Sequence, residues 1–159
     1  MITVDYLKQI FEYRDGNLYY KEPCGKMQIG KKAGSKRQTG YIAIVINKKP
    51  YYSHRLIFAM FHGFFPKFID HINGNKSDNR IENLREATKA QNQFNIPKLK
   101  NNTSGIKSVS WSNKDKRWVV RLSVNKKNKY FGGYFDIEVA KFVAETMRHK
   151  YHGQFANHK

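Results

Sequence analysis

A polar break near the middle of the chain constrains the fold more than any other feature. Residues 95–105 read NIPKLKNNTSG, and they combine a proline, a glycine and paired asparagines with no apolar periodicity. A polar stretch with these residues is typical of a connection between structured segments. We therefore place a linker at residues 97–104. The 159-residue chain then divides into two small modules, residues 1–96 and residues 105–159, which excludes a large enzyme fold.

Both modules carry a strong positive charge. The chain has 30 Lys and Arg residues against 12 Asp and Glu residues, which gives a formal charge of +18. The excess is +8 in residues 1–96 and +10 in residues 97–159. Hydrophobic residues make up 40% of the chain, which is enough for packed cores and excludes a disordered basic tail. A folded protein with this charge is expected to bind a polyanion, and nucleic acid is the commonest one, ahead of membrane surfaces and acidic proteins.

Several classes of protein are disfavoured by what the sequence lacks. No apolar run approaches the roughly 20 residues of a membrane-spanning helix, and the N-terminal residues do not follow the pattern of a signal peptide. Cys24 is the only cysteine, so it makes no intramolecular disulfide and cannot by itself build a thiolate zinc site. We expect a soluble, non-secreted protein of a reducing compartment, with no membrane partner.

Apolar spacing predicts one short helix and three strands at the start of the first module. The helix is expected after Thr3, on the helical spacing of four apolar residues, and Asp15-Gly16 is expected to stop it. The strand-like runs are residues 17–22, 41–47 and 50–53, and the last two are expected to be joined by a turn at Lys48-Lys49.

Residues 54–62, HRLIFAMFH, are apolar nearly all round. They predict a mostly buried helix with Ser53 as its cap. His54, in the first turn, is expected to be a packing residue, with a phosphate or metal contact as the alternative.

Strict alternation predicts a sheet in the second module. In residues 118–124, WVVRLSV, every second residue from Trp118 onward is apolar, and Arg121 and Ser123 lie on the other face. Residues 106–111 supply a strand before it, and a turn at residues 126–128 leads into a third strand at residues 129–135.

An amphipathic helix is expected to cover one face of that sheet. Asp136 should cap the helix and Gly153 should stop it. We expect Trp118 in the core, whereas core packing and contact with a nucleic-acid base are equal alternatives for Trp111. His149, His152 and His158, at the helix end and tail, are expected to be solvated or to complement the helix dipole.

Residues 68–95, FIDHINGNKSDNRIENLREATKAQNQFN, hold the side chains suited to chemistry. A short strand should deliver Asp70 and His71 to a polar loop, which leads from Thr88 into a helix bearing Asn92. Histidine titrates near neutrality and suits deprotonation of water in phosphodiester hydrolysis. Asp70 and Asn92 offer the oxygen donors that hard divalent cations prefer. The alternative is a plain turn, in which Asn and Asp bond to their own loop.

The run IDHINGNKSDNRIENLREAT, with His54-Arg55-Leu56 ahead of it and Gln91-Asn92 behind, resembles the HNH endonucleases of the phage and homing type. The resemblance covers roughly residues 40–95 and implies an α+β chain whose first module has a ββα-metal fold. It implies Asp70 as a metal ligand and His71 as the general base.

The same resemblance implies two asparagine roles. Asn83 would brace the loop and orient His71, and Asn92 would be the second metal ligand. The alternatives for the bracing role are Asn73, Asn75 and Asn79, and the alternative ligand is Asn95. Arg80 and Arg85 are either phosphate contacts or solvated side chains.

Residues 104–155 resemble the DNA-binding domain of plant ethylene-response factors, a three-stranded antiparallel sheet packed on one helix. The resemblance implies that the sheet lies in the major groove of DNA. The positions that would contact DNA are Lys107, Arg121, Lys129 and Phe131, and Ser123 shares the open face with Arg121 by alternation. Arg121 stands where the plant domains have an acidic residue and Phe131 where they have Trp, so target specificity should differ.

The sequence as a whole predicts a metal-dependent DNA endonuclease. Residues 1–96 would form the nuclease module and residues 105–159 the module that targets double-stranded DNA, with one Mg²⁺ or Mn²⁺ ion as cofactor and no protein partner implied. The host-cell cytoplasm is the expected location if a phage encodes the chain. The alternatives are a DNA-binding protein with an inactive HNH motif and, more weakly supported, an RNA-binding protein.

Overall fold

The computed structural model describes residues 2–23 and 28–158, so Cys24 lies outside the described residues. The chain folds as two compact units, Met1–Lys89 and Ala90–Lys159. The described residues form a mixed α+β structure with four helices and several small sheets. The predicted linker, residues 97–104, lies inside the second unit. No helix in the part of the chain that the structure describes is long and apolar enough to cross a membrane.

The first unit contains two helices, three small antiparallel sheets and the start of a third helix. In chain order its elements are α1 (Val4–Ile10), β1 (Phe11–Arg14), β2 (Asn17–Tyr20), β3 (Ser35–Lys36), β4 (Ile42–Ile46), β5 (Lys49–Tyr52), α2 (Ser53–His62), β6 (Ile69–His71), β7 (Leu84–Glu86) and α3 (Lys89–Phe94). β1 pairs with β2, β4 lies between β3 and β5, and β6 pairs with β7.

The helix predicted after Thr3 is present but shorter than expected. The Thr3 hydroxyl accepts a hydrogen bond from the Tyr6 amide at 3.3 Å, as a helix cap does. The helix ends at Ile10, and Phe11 begins a strand. Asp15 and Gly16, which both have positive φ, form the turn of the β1–β2 hairpin. This correction has a simple cause: two residues with positive φ suit a two-residue hairpin turn better than a helix end.

Helix α2 forms the centre of the first unit's core. Its apolar side chains pack against α1, β2 and β4, and Leu56, Ile57 and Ala59 have no exposed surface. The predicted buried helix is therefore confirmed, but its predicted cap is not. The N-cap residue is Tyr52, with no side-chain capping bond, and Ser53 is the buried first residue of the helix.

The second unit is a three-stranded antiparallel sheet backed by a long helix. Its elements after α3 are β8 (Val109–Ser112), β9 (Arg117–Val124), β10 (Lys127–Tyr134) and α4 (Ile137–His152), and β9 is the central strand. The predicted cap is present, because the Asp136 carboxylate accepts the Glu138 amide at 2.7 Å. Gly153 ends the helix as expected.

The sheet register places two of the predicted DNA-contact residues on the helix side of the sheet. A two-residue turn at Asn125 and Lys126, both with positive φ, connects β9 to β10. Lys129 consequently pairs with Leu122, on the face that packs against α4, and its ammonium lies over the Tyr151 ring of α4 at 5.5 Å from the centroid.

Phe131 lies on the same covered face. It packs into the second unit's core, with its ring 5.5 Å from that of Tyr151. The open face of the sheet instead carries Arg121 and Ser123, opposite Tyr130 and Asn128 of β10.

Several polar side chains of the second unit make hydrogen bonds or ring contacts that the sequence did not predict. Arg148 on α4 has no exposed surface, donates to the Lys107 carbonyl and contacts Nδ1 of His158 at 3.2 Å. His152 contacts the Ser123 carbonyl at 3.0 Å and stacks on Phe94. His152 is thus partly buried and not simply solvated, whereas His158 is exposed as expected.

Candidate functional site

The β6–β7 hairpin positions Asp70 and His71. β6 is only three residues long, and all of them are buried. Asp70 is opposite Arg85 and His71 is opposite Leu84 in the antiparallel register. Because neighbouring residues of a strand point to opposite faces, the carboxylate and the imidazole have different surroundings.

The loop between β6 and β7 is built from asparagine side chains that bond to their own backbone. Asn83 Oδ1 accepts the Asn73 amide at 3.0 Å, and Asn83 Nδ2 donates to the Asp78 carbonyl at 2.7 Å. Asn73 Nδ2 donates to the Asp78 carboxylate at 2.7 Å. Arg80 closes the network by donating to the same carboxylate through two nitrogens, at 2.9 and 2.8 Å. Asn83 therefore braces this loop.

Neighbouring elements hold that loop in place. The Tyr13 hydroxyl accepts the Ile81 amide at 3.1 Å, and the Ser77 hydroxyl donates to the Gly40 carbonyl at 2.8 Å. Gly16 lies so close to the β6–β7 loop that a Cβ atom at residue 16 would be 2.7 Å from the backbone nitrogen of Arg80. The β1–β2 hairpin and the segment before β4 thus support the loop from two sides.

Asn79 makes the side-chain hydrogen bond with His71. Its Oδ1 lies 3.0 Å from His71 Nε2, and Asn79 is 1% exposed. The sequence predicts that Asn83 orients His71. In the structure this hydrogen bond is made by Asn79, which is one of the alternatives. The reason is local, because Asn83 ends a short 3₁₀ turn, Ile81–Asn83, and its amide is directed at residues 73 and 78.

Aromatic rings and a second histidine surround His71. The ring of His54, in the first turn of α2, meets His71 edge-on with centroids 5.0 Å apart. Tyr41 lies 5.9 Å from His71 and 5.2 Å from His54, and Tyr52 stacks on His54 at 5.7 Å. His54 is therefore a packing residue, as expected, but it packs directly against the predicted general base.

Burial keeps both imidazoles neutral. It lowers the pKa of His54 to about 3, and the positive charge of Arg55 acts in the same direction. Burial is also the largest influence that lowers the pKa of His71, against the opposing effect of the Asn79 hydrogen bond. A neutral imidazole is the form that accepts a proton, so His71 has the protonation state of a base at neutral pH.

Asp70 forms an ion pair across the hairpin. Nε and Nη2 of Arg85 donate to Asp70 Oδ2 at 2.8 and 2.6 Å, with both side chains largely buried. Arg85 is thus engaged with the predicted metal ligand and is not a solvated side chain. Arg80, by contrast, is half exposed and pairs with Asp78.

The donor set suits a hard divalent cation held by few protein ligands. Within residues 2–23 and 28–158, no cluster of three His, Cys, Asp or Glu side chains could hold a metal ion. Asp70 supplies one buried carboxylate, and Mg²⁺ is commonly bound through one or two carboxylates completed by water and substrate phosphate.

The remaining predicted ligand positions lie at or beyond the unit boundary. Asn92 is on α3, whose residues from Ala90 onward belong to the second unit. Asn95, the alternative, accepts hydrogen bonds from Asn157 at its carbonyl and at Oδ1, at 2.7 and 3.2 Å. Asn95 is therefore bound to Asn157 within the second unit.

The predicted DNA contacts divide into two groups. Arg121 and Ser123 are exposed on the open sheet face, whereas Lys129 and Phe131 lie on the helix side. The Lys107 ammonium donates to the carbonyls of Phe94 and Ile96, and burial lowers its pKa to about 8. Lys107 is therefore bound within its own unit.

Sequence reasoning missed the residues that complete the surroundings of His71. Tyr41 and Tyr52 read only as strand residues, and the partnership of Asp70 with Arg85 depends on a hairpin register that no local pattern specifies. One sequence feature could have predicted the pairing of Asp70 with Arg85. The two residues lie on the strands that flank the asparagine loop, and opposite charges directly across an antiparallel strand pair stabilise each other.

Two comparisons relate the chain to known proteins. The model of the HNH endonuclease family matches residues 51–94, from the end of β5 to the end of α3. The chain is also similar to Protein 3.8 of Escherichia phage T7, with 35% identity over 105 residues that cover 65% of this chain and 86% of that protein. No solved structure matches the chain.

Proposed function

The chain belongs to the same family as Protein 3.8 of Escherichia phage T7 and carries an HNH endonuclease-type domain, and on this premise we propose that it is a divalent-metal-dependent endonuclease acting on double-stranded DNA. The observation that carries the proposal is the buried His71, held by Asn79 one residue after a buried carboxylate. We propose that residues 51–94, which match the HNH family model, form a ββα-metal module.

His71 acts as the general base in this proposal. Asn79 Oδ1 can only accept a hydrogen bond, so its position 3.0 Å from Nε2 selects the tautomer with the proton on Nε2. Nδ1 is then the atom that takes a proton from the attacking water. The edge-on ring of His54 and the ring of Tyr41 limit rotation of the imidazole. Asn79 is the positioning residue and Asn83 holds the loop that carries it.

Asp70 is the proposed first ligand of the metal ion, with Asn92 as the second. When bound, a Mg²⁺ or Mn²⁺ ion supplies neutralisation of charge on the phosphate and the leaving oxygen. Asp70 holds its position through Arg85, whose guanidinium also keeps positive charge near the carboxylate when no metal is bound. The chain's own residues thus provide a base, an oxygen ligand and a rigid loop.

The second unit is the proposed DNA-targeting module. Its open sheet face carries Arg117, Arg121, Ser123 and Tyr130, and all four are exposed. Two arginines on a flat sheet face suit phosphate and base-edge contacts in DNA. Lys129 and Phe131 contribute from the helix side in this proposal, by holding β10 against α4.

A plasmid assay tests the proposed activity. Supercoiled DNA incubated with the full chain and Mg²⁺ or Mn²⁺ should be converted to nicked or linear forms, and EDTA should stop the conversion. Asp70→Ala should require a higher metal concentration for half-maximal cleavage. Cleavage that persists in EDTA would reject the metal-dependent mechanism. Equal metal concentrations for half-maximal cleavage by wild type and Asp70→Ala would reject Asp70 as a metal ligand.

A further inference from the structure

A basic groove lies on the first unit, beside the candidate active site. It has a volume of about 630 Å³ and lies at the end of the β3–β4–β5 sheet where Tyr52 pairs with Ala43. Its lining includes Lys36, Arg37, Thr39 and Tyr52. Lys36 and Arg37 are exposed, and 43% of the Tyr52 surface is exposed. The groove therefore combines two cations with an accessible aromatic ring.

Aromatic contacts connect the groove to His71. The Tyr52 ring at the groove lies 5.1 Å from that of Tyr41, which in turn lies 5.9 Å from the ring of His71. Lys76, from the asparagine loop, places its ammonium over Tyr41 at 5.0 Å and donates to the Thr39 carbonyl at 3.3 Å. The wall of the groove thus packs through the Tyr41 ring against the ring of His71.

The charge along this part of the chain has a single sign. Residues 28–69 contain eight Lys and Arg residues and no Asp or Glu. The groove consequently has no acidic side chain of its own segment to repel a phosphate. A surface of this kind attracts polyanions, and the ligand that matches two neighbouring cations in a groove is a phosphodiester backbone.

We infer that this groove binds the DNA strand next to the scissile phosphate, with Lys36 and Arg37 each contacting a backbone phosphate. The inference rests on the proposed nuclease function for the position of the scissile phosphate at His71. The Tyr52 ring faces the strand where it passes from the groove to the site. Binding here adds substrate affinity from the nuclease unit itself.

Paired charge removals test the groove. The full chain carrying both K36A and R37A is compared with a matched control that carries both K48A and K49A. The control removes the same charge from the opposite end of the β4–β5 hairpin, since Lys48 lies in its turn and Lys49 pairs with Ile46. Affinity for a 30-base-pair duplex is measured by fluorescence anisotropy in EDTA over a salt series, and thermal melts check that all proteins are folded.

The groove variant should bind duplex roughly tenfold more weakly at low salt. Its slope of log affinity against log salt should fall by about 1.8, or about 0.9 for each phosphate that is no longer neutralised. In Mg²⁺ its KM should rise while its kcat stays unchanged, since these side chains bind substrate without touching the reacting atoms. The K48A/K49A control should show the wild-type slope.

Equal losses of affinity in both double variants, or no loss in the groove variant, would overturn the inference. The binding arm in EDTA does not depend on catalysis. If wild type binds duplex DNA but cleaves nothing with Mg²⁺ or Mn²⁺, the proposed function is rejected. The comparison of salt slopes then still shows whether the groove binds DNA. If wild type binds no duplex DNA, both proposals are rejected.

Discussion

Asn79 is hydrogen-bonded to His71, the proposed base, so a substitution of Asn79 tests how the orientation of the imidazole affects cleavage while His71 itself is kept. Asn79→Ala should lower kcat roughly tenfold, since one hydrogen bond to a catalytic group is worth about 1.5 kcal/mol. DNA affinity in EDTA should be unchanged. Single-turnover cleavage measures the effect, with Asn75→Ala as an exposed control from the same loop. Equal rates for Asn79→Ala and wild type would remove Asn79 as a positioning residue.

Arg85 balances the buried charge of Asp70. Arg85→Ala should lower the free energy of unfolding by about 2–4 kcal/mol, because it leaves a largely buried carboxylate without its ion-pair partner. Arg80→Ala, which breaks a half-exposed pair with Asp78, should cost below about 1 kcal/mol. Urea unfolding measures both.

A metal ion should partly replace the arginine. In millimolar Mg²⁺ the Arg85→Ala variant should recover more stability than wild type gains, since a divalent cation at Asp70 restores the missing positive charge. Urea midpoints that respond equally to Mg²⁺ in variant and wild type would contradict Asp70 as the ligand.

At the scale of elements, the β6–β7 loop depends on the ionised form of Asp78. Its hydrogen bonds from Arg80 and Asn73 hold the pKa of this carboxyl well below its usual range. A lowered folded-state pKa stabilises the loop at pH values above the unfolded pKa, and this stabilisation is lost as pH falls below about 4.

Asp78→Asn should therefore cost roughly 1 kcal/mol at pH 7. The difference from wild type should narrow steadily between about pH 4 and pH 3, because the wild-type carboxyl in the unfolded chain then becomes protonated. Urea midpoints across this range measure it. A constant difference at all pH values would mean that the charge of Asp78 does not hold the loop.

The elements themselves were largely predictable, whereas their registers were not. Period-two alternation identified β9, and capping residues identified the ends of α4, because these signals are local. A three-residue turn at residues 126–128 would put Lys129 and Phe131 beside Arg121. The observed two-residue turn at Asn125 and Lys126 pairs Lys129 with Leu122 instead of Asn125. This shift of three residues is odd, so it moves both side chains to the helix side.

The same limit applies at the candidate site. Asp70 and His71 could be predicted as a pair because they are adjacent in sequence. The choice between Asn79 and Asn83 as the partner of His71 depends on the 3₁₀ turn at Ile81–Asn83 and on support from Tyr13, which is 68 residues away from Ile81 in sequence. Interactions set by tertiary packing leave no local pattern.

At the scale of the whole molecule, the second unit should provide DNA affinity through its open sheet face. In the full chain, R117A with R121A should lower the salt slope of duplex binding by about 1.8. The control pair, K141A with K150A on α4, should leave the slope unchanged. Anisotropy in EDTA measures both. A larger effect of the control pair would mean that α4, not the sheet, contacts DNA.

The most direct test of the account is the single-turnover cleavage rate of His71→Ala, measured beside its DNA affinity in a preparation cleared of contaminating nuclease. Loss of a general base should lower the rate by about 10²- to 10⁴-fold. Affinity for duplex in EDTA should barely change, because one neutral imidazole adds little to phosphate binding. A His71→Ala protein that cleaves DNA at the wild-type rate would contradict the central claim that His71 is the base of a metal-dependent nuclease.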